Sequence, residues 1–355
     1  MIFFGIPSGL HNLKNRGAFP ASAGLRFVCF DAFFLNTGTP VAGRVKKRIG
    51  RACRRMAFMQ QDDRQWKTVG LLEAATGYFK SKQIGEARLT AEVLLAHVFG
   101  KARIDLYLEH DRPVYPDELE RFRALCRERL QGRPVQYITG EQFFYGKVFS
   151  VDERVLIPRP ETELVIEFSM ERLSKSAIGG ERALDVLDIG TGSGCIAVVL
   201  ALSMPGARLA AVDVSPEALE LAVANAQRHG VCDRIRFEQA DVLAPGFAGS
   251  MGGRFDMIVS NPPYIPESEW ECLQREVREY EPAIALLSPR GFEFYEAISA
   301  SARRLLKNGG VLSLELHADG AGRVSDILHE AGFRDIEVRK DYSGHDRMLS
   351  AVLFR

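Results

Sequence analysis

Between about residues 66 and 132, apolar residues recur every three to four positions, which is the period of one face of an α-helix. Two such faces consist of Val69, Leu71, Leu72, Ala75 and Phe79, and of Leu89, Val93, Leu94, Leu95, Val98 and Phe99. Gly100 ends the second helix, residues 105–110 suggest a short third, and a fourth begins at Pro116 and ends before Gly132. The pattern predicts a small bundle of antiparallel helices joined by short loops.

From about residue 164 onward, short apolar runs alternate with helical segments. The predicted strands are residues 183–188, 208–213, 234–239, 255–260, 310–316, 335–340 and 348–354. Ser215 and Pro216 start one intervening helix, as a capping hydroxyl followed by proline, and Gly230 ends it. Residues 341–347 are too few for a crossover helix, so the last two strands should pair antiparallel. We therefore predict an α/β fold, a Rossmann-like, doubly wound mixed sheet of about seven strands.

The stretch between these regions has a strand-like pattern. Gly146 separates two apolar groups, namely Phe143, Phe144 and Tyr145 before it, and Val148, Phe149 and Val151 after it. This predicts a β-hairpin with the first three aromatic rings in its core. The predicted organisation is a helical domain at residues 59–133, a β-hairpin linker at 134–158 and an α/β domain at 159–355.

Residues 1–58 differ from the rest, since they carry ten Lys and Arg residues against one acid, Asp31, and show no periodicity. Three interpretations remain open. Translation can start later, at Met56 or Met59, or the segment can be a transit peptide or a functional tail. In each case we expect it to be poorly ordered, and we exclude it from the fold prediction.

Composition narrows the classes of protein. The formal net charge is zero and the pI is near 7.1, which argues against sequence-independent binding to nucleic-acid phosphates. The six cysteines form no C-x-x-C pair, so the sequence predicts a reducing compartment, without a disulfide framework or zinc site. No apolar stretch reaches the roughly 18 residues of a membrane span. We expect a cytoplasmic monomer, or an organellar protein if the N-terminal segment is a transit peptide.

A glycine-rich turn follows the first predicted strand of the α/β domain. It contains Asp188, Gly190, Thr191, Gly192, Ser193 and Gly194. Ligands of open α/β sheets bind beyond the carboxyl ends of the strands, and glycines let them approach the backbone. The spacing G-x-G-x-G followed by Cys195 differs from the dinucleotide fingerprint, which requires another glycine there. We expect Asp188 to orient the turn rather than to react.

Two acids follow the next two strands. Asp213 ends the second strand, where an acid hydrogen-bonds ribose hydroxyls. Asp241 follows the third strand and can accept a hydrogen bond from an adenine amine, with Val242 against the ring. Together with the glycine-rich turn, these residues predict S-adenosylmethionine as the cofactor.

Asn261-Pro262-Pro263-Tyr264 follows the fourth predicted strand, beside the predicted cofactor site, and indicates methyl transfer to a planar nitrogen. Such a nitrogen is conjugated and therefore a poor nucleophile. The Asn261 side-chain oxygen and a backbone carbonyl can accept its two N–H bonds, the prolines stiffen the backbone, and the Tyr264 ring can stack on the flat group. Catalysis would then come mainly from positioning.

Other candidate residues give weaker signals. Arg159 and Glu161 are either solvated charges at a helix start or part of a lid over the cofactor or substrate. The seven histidines are scattered without a partner at metal-ligand spacing, so we predict no metal site. We find no Ser/His/Asp or nucleophilic Cys arrangement.

From about residue 66 to 355, the chain resembles the HemK/PrmC family, protein-(glutamine-N5) methyltransferases that act on peptide chain release factors. The motifs that carry the resemblance are residues 132–140, 143–146, 157–163, 188–194, 261–264, 281–282 and 341–342. Pro158-Arg159-Pro160-Glu161-Thr162-Glu163 is similar to the release-factor branch, whereas the ribosomal-protein branch typically has Pro-Arg-Ser-Pro there. The chain departs from the family in residues 1–58 and at Val242, where some members have an aromatic residue.

The resemblance implies the fold of class I S-adenosylmethionine-dependent methyltransferases. It also implies a substrate, the glutamine in the Gly-Gly-Gln motif of class 1 release factors, and hence a role in translation termination. Asn261 and the Pro262 carbonyl would accept the amide N–H bonds, Tyr264 would pack on the amide plane, and Pro263, Arg159 and Glu161 would complete the substrate site. The helical domain would dock the release factor.

Three alternatives remain. An adenine-N6 or cytosine-N4 amino-methyltransferase of nucleic acids can use the same Asn-Pro-Pro-Tyr geometry, although neutral net charge and the absence of a recognisable nucleic-acid module count against it. A cofactor-binding scaffold without activity is disfavoured by the intact glycine turn, Asp213 and Asn261. A ribosomal-protein glutamine methyltransferase is disfavoured by the sequence at 160–163.

Overall fold

The computed structural model describes residues 65–176 and 183–355. The predicted basic extension, residues 1–58, lies outside the described residues.

The N-terminal described region is helical, as the periodicity predicts. Its helices are α1 (Thr68–Ser81), α2 (Ala87–Phe99), α3 (Asp105–Leu108) and α4 (Pro116–Gln131). Gly100 and Gly132 follow α2 and α4 in left-handed conformation, with φ of 63° and 106°, which glycine adopts without steric cost. Phe79 and Phe122 are fully buried in the bundle core. The prediction for Val69 is wrong, since it lies one residue away from the stripe of buried positions on α1 and its side chain is exposed.

A short helix, α5 (Val135–Thr139), precedes the hairpin of β1 (Glu141–Phe144) and β2 (Lys147–Ser150). Phe144 and Phe149 are buried and meet edge to face, with ring centroids 5.9 Å apart. The prediction that Phe143 belongs to the hairpin core is wrong, because it is 68% exposed. Successive residues of a strand point to opposite faces, so two adjacent phenylalanines cannot share one core. Tyr145 is half-buried at the turn, with φ of +49°.

The C-terminal region alternates helices and strands. Its longer helices are α6 (Pro160–Lys175), α7 (Cys195–Ser203), α8 (Pro216–Arg228), α11 (Glu293–Leu305) and α12 (Ala321–Glu330), and its short ones are α9 (Phe247–Ser250) and α10 (Arg275–Tyr280). The strands are β3 (Asp185–Ile189), β4 (Arg208–Asp213), β5 (Ile235–Gln239), β6 (Phe255–Ser260), β7 (Leu306–Glu315), β8 (Phe333–Lys340) and β9 (Asp346–Leu353).

Within the described residues, these strands form one mixed sheet in the order β5-β4-β3-β6-β7-β9-β8. The pairs from β5 to β7 are parallel, while β9 is antiparallel to both β7 and β8. The predicted seven-stranded mixed sheet and its antiparallel final pair are therefore confirmed. Strand β7 begins earlier than predicted, because Leu306 pairs with Phe255 before a local irregularity in the register.

Both faces of the sheet are covered. Val186 of β3 packs in the core that includes α6 and α7, and its neighbour Leu187 packs in the core that includes α11 and α12. This alternation explains why β3 and β6 are nearly continuous apolar runs. Among the described helices, none is both long enough and apolar enough to cross a bilayer.

Gly194 provides a test of this packing, because it precedes α7 with φ of +79°. An added Cβ would lie 3.0 Å from the Cβ of Ala222 on α8. We expect Gly194→Ala to lower the free energy of unfolding by about 2–4 kcal/mol, through left-handed strain and overpacking. Denaturant titration measures this loss.

Gly206→Ala is the matched control, since no described atom lies within 4 Å of its added Cβ. We expect this variant to remain within about 0.5 kcal/mol of wild type. Equal stability of the two variants would contradict the packing argument.

Candidate active site

The two sequence motifs meet where the strand order reverses. β4 and β5 extend the sheet on one side of β3, and β6 then pairs with β3 on the other side. The Ser260 hydroxyl donates to the carbonyl of Ile189 at 2.7 Å. A Cβ placed on Gly190 would lie 4.0 Å from the carbonyl oxygen of Asn261. The glycine-rich turn and the Asn-Pro-Pro-Tyr segment therefore lie side by side, in the crevice where doubly wound sheets bind ligands.

The glycine-rich turn has an open backbone. Gly190 and Gly192 have φ of +73° and +53°, in the left-handed region that favours glycine. The amides of Gly190 and Thr191 both donate to the Val212 carbonyl at 2.9 Å, which ties the turn to the end of β4. No described atom lies within 4 Å of a Cβ built on Gly192. A ligand can therefore approach this backbone closely.

Asp188 holds the turn from inside. Its Oδ2 accepts hydrogen bonds from the Thr191 hydroxyl at 2.7 Å and from the Ala197 amide at 3.2 Å. Its Oδ1 has no partner among the described residues. Burial raises the pKa of Asp188 to about 7, and the negative charge of Asp213 acts in the same direction.

Asp213 joins the end of β4 to the turn. Its Oδ2 accepts a hydrogen bond from the Gly192 amide at 2.8 Å, and its Oδ1 accepts one from the Ser215 amide at 3.0 Å. These backbone bonds fix the carboxylate at the rim of the crevice, and each oxygen keeps a further lone pair. Ser193 is buried, and its carbonyl accepts a hydrogen bond from Asn225 at 2.9 Å.

Asp241 and Val242 lie beyond the end of β5. Asp241 is exposed, and its Oδ1 accepts the amide hydrogen of Leu243 at 2.8 Å. Val242 is half-buried and packs against the core on the α11 side of the sheet. The strand order places them next to β4, on the same edge of the sheet as Asp213.

A chain of hydrogen bonds orients the Asn-Pro-Pro-Tyr segment. The Asn261 Nδ2 donates to the Thr162 hydroxyl at 3.1 Å, and that hydroxyl donates to Glu315 Oε2 at 2.6 Å. The Tyr264 hydroxyl donates to the other carboxylate oxygen, Glu315 Oε1, at 3.2 Å. Asn261 and Tyr264 are thus both held by one carboxylate, with Pro262 and Pro263 between them in the sequence.

Glu315 is a buried charge at the end of β7, with 1% of its surface exposed. Burial raises its pKa, while the hydrogen bond from Thr162 and the positive charge of Arg347 oppose this shift. Arg347 is itself held by Asp341 at 3.2 Å and by the Leu316 carbonyl at 2.9 Å. Burial likewise raises the pKa of Tyr264, so its hydroxyl stays protonated and donates.

The sequence motifs predicted no role for Thr162 or Glu315. Thr162 lies in the motif 157–163, in which only the charged residues were candidates for the site. Glu315 offered a clearer signal, since it is a carboxylate inside the apolar run 311–316. A charge within a buried strand requires partners, and that requirement could have identified it.

Arg159 and Glu161 flank Thr162 but differ in their surroundings. Arg159 pairs with Glu281 at 2.6 Å, and the other oxygen of that buried carboxylate accepts the amide hydrogen of Ile157 at 3.2 Å. Arg159, with 30% of its side chain exposed, is therefore held by a buried carboxylate. Glu161 is half-buried, and its charge contributes to the raised pKa of Glu315.

The segment after Tyr264 continues toward the helical bundle. Arg129 of α4 forms an ion pair of 2.5 Å with Glu276 of α10. The Tyr280 hydroxyl donates to the carbonyl of Gln131 at 3.2 Å. The bundle thus contacts the chain segment that leads from Asn-Pro-Pro-Tyr to Glu281. Among residues 65–176 and 183–355, no group of three His, Cys, Asp or Glu side chains could hold a metal ion.

Two family models match the chain. One is described as a PrmC N-terminal domain and matches residues 70–140, and the other is described as a methyltransferase domain and matches residues 181–337.

Several curated relatives bear the name "Release factor glutamine methyltransferase". The protein from Chlorobaculum tepidum is 57% identical over 291 residues, covering 82% of this chain and 99% of the relative. The protein from Geobacter sulfurreducens is 41% identical, covering 80% of this chain and 96% of the relative. The protein from Bacillus subtilis is 39% identical, covering 77% and 94%. The similarity therefore extends through both described regions and nearly the whole length of each relative.

The pKa of Asp188 gives a pH-dependent prediction for the ligand-free protein. The folded-state pKa, about 7, lies above the ordinary value of 3.8, so the folded state binds the proton more tightly than the unfolded state. This contribution to stability is complete below pH 4 and is lost as the pH rises through 7. Raising the pH from 5 to 7 removes a large part of this contribution, so the free energy of unfolding should fall by about 2 kcal/mol.

Asp188→Asn removes the titrating group and serves as the reference. Denaturant titrations at pH 5 and pH 7 should show a smaller decrease for this variant than for wild type. Parallel pH profiles would show that Asp188 does not titrate in this range.

Proposed function

This chain belongs to the family of release factor glutamine methyltransferases, and we propose that it methylates the glutamine of the Gly-Gly-Gln motif in class 1 release factors, with S-adenosylmethionine as donor. The resemblance and the enzyme class inferred from the sequence are confirmed by this membership. The proposed products are N5-methylglutamine, S-adenosylhomocysteine as the leaving group and one proton released from the amide nitrogen, and the methylation would support translation termination.

The observation that carries the proposal is the adjacency of the two motifs. A donor held on the glycine-rich turn and an amide held by Asn261 would share one crevice, since Gly190 lies next to the Asn261 backbone. Proximity of this kind replaces an encounter in solution by an oriented reaction.

The residues present fit S-adenosylmethionine. The left-handed glycines leave space that any side chain would fill. The free lone pairs of Asp213 suit the ribose hydroxyls, and the exposed carboxylate of Asp241, with Val242 beside it, suits the adenine. Bound there, the cofactor supplies an electrophilic methyl group on a sulfonium.

The chain's own residues would hold the acceptor. Asn261 Oδ1 accepts no hydrogen bond from the described residues, so it is available for one N–H of the glutamine amide. The Pro262 carbonyl would accept the other, and the Tyr264 ring would pack on the amide plane. With both hydrogens engaged, the nitrogen would present its remaining face to the methyl group. Arg159 would act through Glu281, which also holds the Ile157 amide just before α6.

The helical bundle is the proposed docking domain for the release factor. Its support is positional, since α4 contacts α10 on the segment that follows Tyr264. A protein bound there would stand next to the amide site. The alternative of a nucleic-acid substrate has no support from the names of the curated relatives, which refer to release factors.

The function is tested by methyl transfer from labelled S-adenosylmethionine to a purified class 1 release factor. A matched release factor with the Gly-Gly-Gln glutamine changed to alanine is the control. We expect label on the first protein and none on the second. Equal labelling of both, or labelling of DNA or RNA instead, would contradict the proposed substrate.

Two substitutions should separate the acceptor and donor sites. Asn261→Ala removes the amide acceptor, so we expect loss of turnover with donor affinity within a few fold of wild type. Asp213→Ala removes hydrogen bonds to a charged group, each worth about 1.5–3 kcal/mol, so we expect donor affinity to fall at least tenfold. Calorimetry with S-adenosylhomocysteine measures the affinity of the donor site, and the transfer assay measures turnover. Normal turnover by Asn261→Ala, or unchanged affinity of Asp213→Ala, would remove that residue from its proposed role.

A further inference from the structure

The amide of Asn261 can face the substrate in two ways. Its oxygen accepts hydrogen bonds and its NH₂ donates them, and a rotation of 180° exchanges the two ends with almost no change in shape. The proposed substrate presents N–H groups, so only the orientation with Oδ1 toward it is productive. Something in the protein must therefore select that orientation.

Thr162 makes this selection through the direction of its single hydroxyl hydrogen. The hydroxyl donates to Glu315 Oε2 at 2.6 Å, which leaves only lone pairs toward Asn261. A lone pair can be satisfied only by a donor, and Nδ2 of Asn261 lies 3.1 Å away. The opposite orientation would place two acceptors, Oδ1 and Oγ1, against each other in a partly buried contact.

Glu315 fixes the hydroxyl through geometry, since its Oε2 accepts from Thr162 while its Oε1 accepts from the Tyr264 hydroxyl on the other side. Its backbone is anchored as well, since the buried Tyr295 hydroxyl donates to its carbonyl at 3.0 Å. The carboxylate has three charged neighbours that bear on its ionisation: Arg347 favours the charged form, Glu161 disfavours it, and Asp341 holds Arg347 in place.

We propose that Thr162 is a positioning residue for methyl transfer, since its hydroxyl, directed by Glu315, orients the Asn261 amide so that Oδ1 receives the substrate N–H. The inference rests on the proposed function and adds a residue that touches neither substrate nor cofactor. Thr162 is the third residue of α6, and Glu315 is the last residue of β7, so a helix and a strand together orient the residue that follows β6.

A purely structural role for the same hydrogen bonds is the alternative explanation. Thr162 is buried, and loss of its hydroxyl would lower stability in either case. A structural role predicts a lower melting temperature with unchanged turnover by the folded enzyme. The positioning role predicts a lower kcat at a temperature where the enzyme is fully folded.

The experiment compares Thr162→Val and Thr162→Ser by steady-state kinetics with the release factor, donor calorimetry and thermal unfolding. Valine keeps the shape and loses the hydroxyl, so we expect kcat to fall about tenfold or more, which corresponds to at least 1.4 kcal/mol. Donor affinity should stay within threefold. Serine keeps the hydroxyl and should restore kcat to within threefold of wild type. If valine does not fold, Thr162→Ala replaces it.

Ser169→Ala is the matched control on the same helix. Its hydroxyl is also buried, and it donates to the Val165 carbonyl at 2.6 Å, away from Asn261. We expect a change in melting temperature without a change in kcat. Wild-type kcat in Thr162→Val, or an equal loss of kcat in Ser169→Ala, would overturn the proposal.

A second readout does not depend on the substrate. The side-chain NH₂ of Asn261, identified in ¹⁵N NMR spectra by its absence from Asn261→Ala, should exchange slowly in wild type and in Thr162→Ser. It should exchange much faster in Thr162→Val. If wild type methylates no release factor, the proposed function fails, while this exchange pattern still decides the orientation. Equal exchange in wild type and Thr162→Val would overturn the positioning role.

Discussion

The parallel pairing of β3 with β6 is the constraint on which the candidate site depends. Parallel strands bring their carboxyl ends to one edge of the sheet, so segments 71 residues apart in the sequence meet there. The pairing aligns Ile189 with Ser260, and the next residues on each strand are Gly190 and Asn261. A shift in this register would move the glycine-rich turn along the Asn-Pro-Pro-Tyr backbone and separate the proposed donor and acceptor sites.

Carboxylates around this edge hold the backbone and side chains in place. Asp213 accepts two amide hydrogens, Glu281 accepts one and pairs with Arg159, and Glu315 accepts two hydroxyl hydrogens. Burying a charge is costly unless it is paired or hydrogen-bonded, so the buried Glu281 and Glu315 strongly restrain their partners. Positioning is the main requirement for a weak nucleophile such as an amide nitrogen, and a rigid set of hydrogen bonds meets it without reorganisation during the reaction.

The features predictable from sequence are those that depend on neighbours in the chain. Apolar runs located the strands, and glycines located the helix ends and the turn, because backbone conformation and local burial determine both. The prediction that Phe143 lies in the hairpin core was wrong for a local reason. Side chains alternate along a strand, so Phe143 and Phe144 face opposite sides. The contacts of Thr162 with Glu315 and of Arg159 with Glu281 join residues 153 and 122 positions apart, so no local pattern contains them. They become visible only when the sheet brings α6, β7 and the segment after Tyr264 together.

Two further contacts join the helical bundle to the α/β region, although each region has its own core. The helical bundle has its own buried core, including Phe79 and Phe122, and needs no help from the sheet to exclude water from it. Its links to the α/β region include the Arg129–Glu276 ion pair and the hydrogen bond from Tyr280 to the Gln131 carbonyl. Glu281 follows directly after Tyr280 and holds the start of α6, so the segment that contacts the bundle lies next to the helix that carries Thr162.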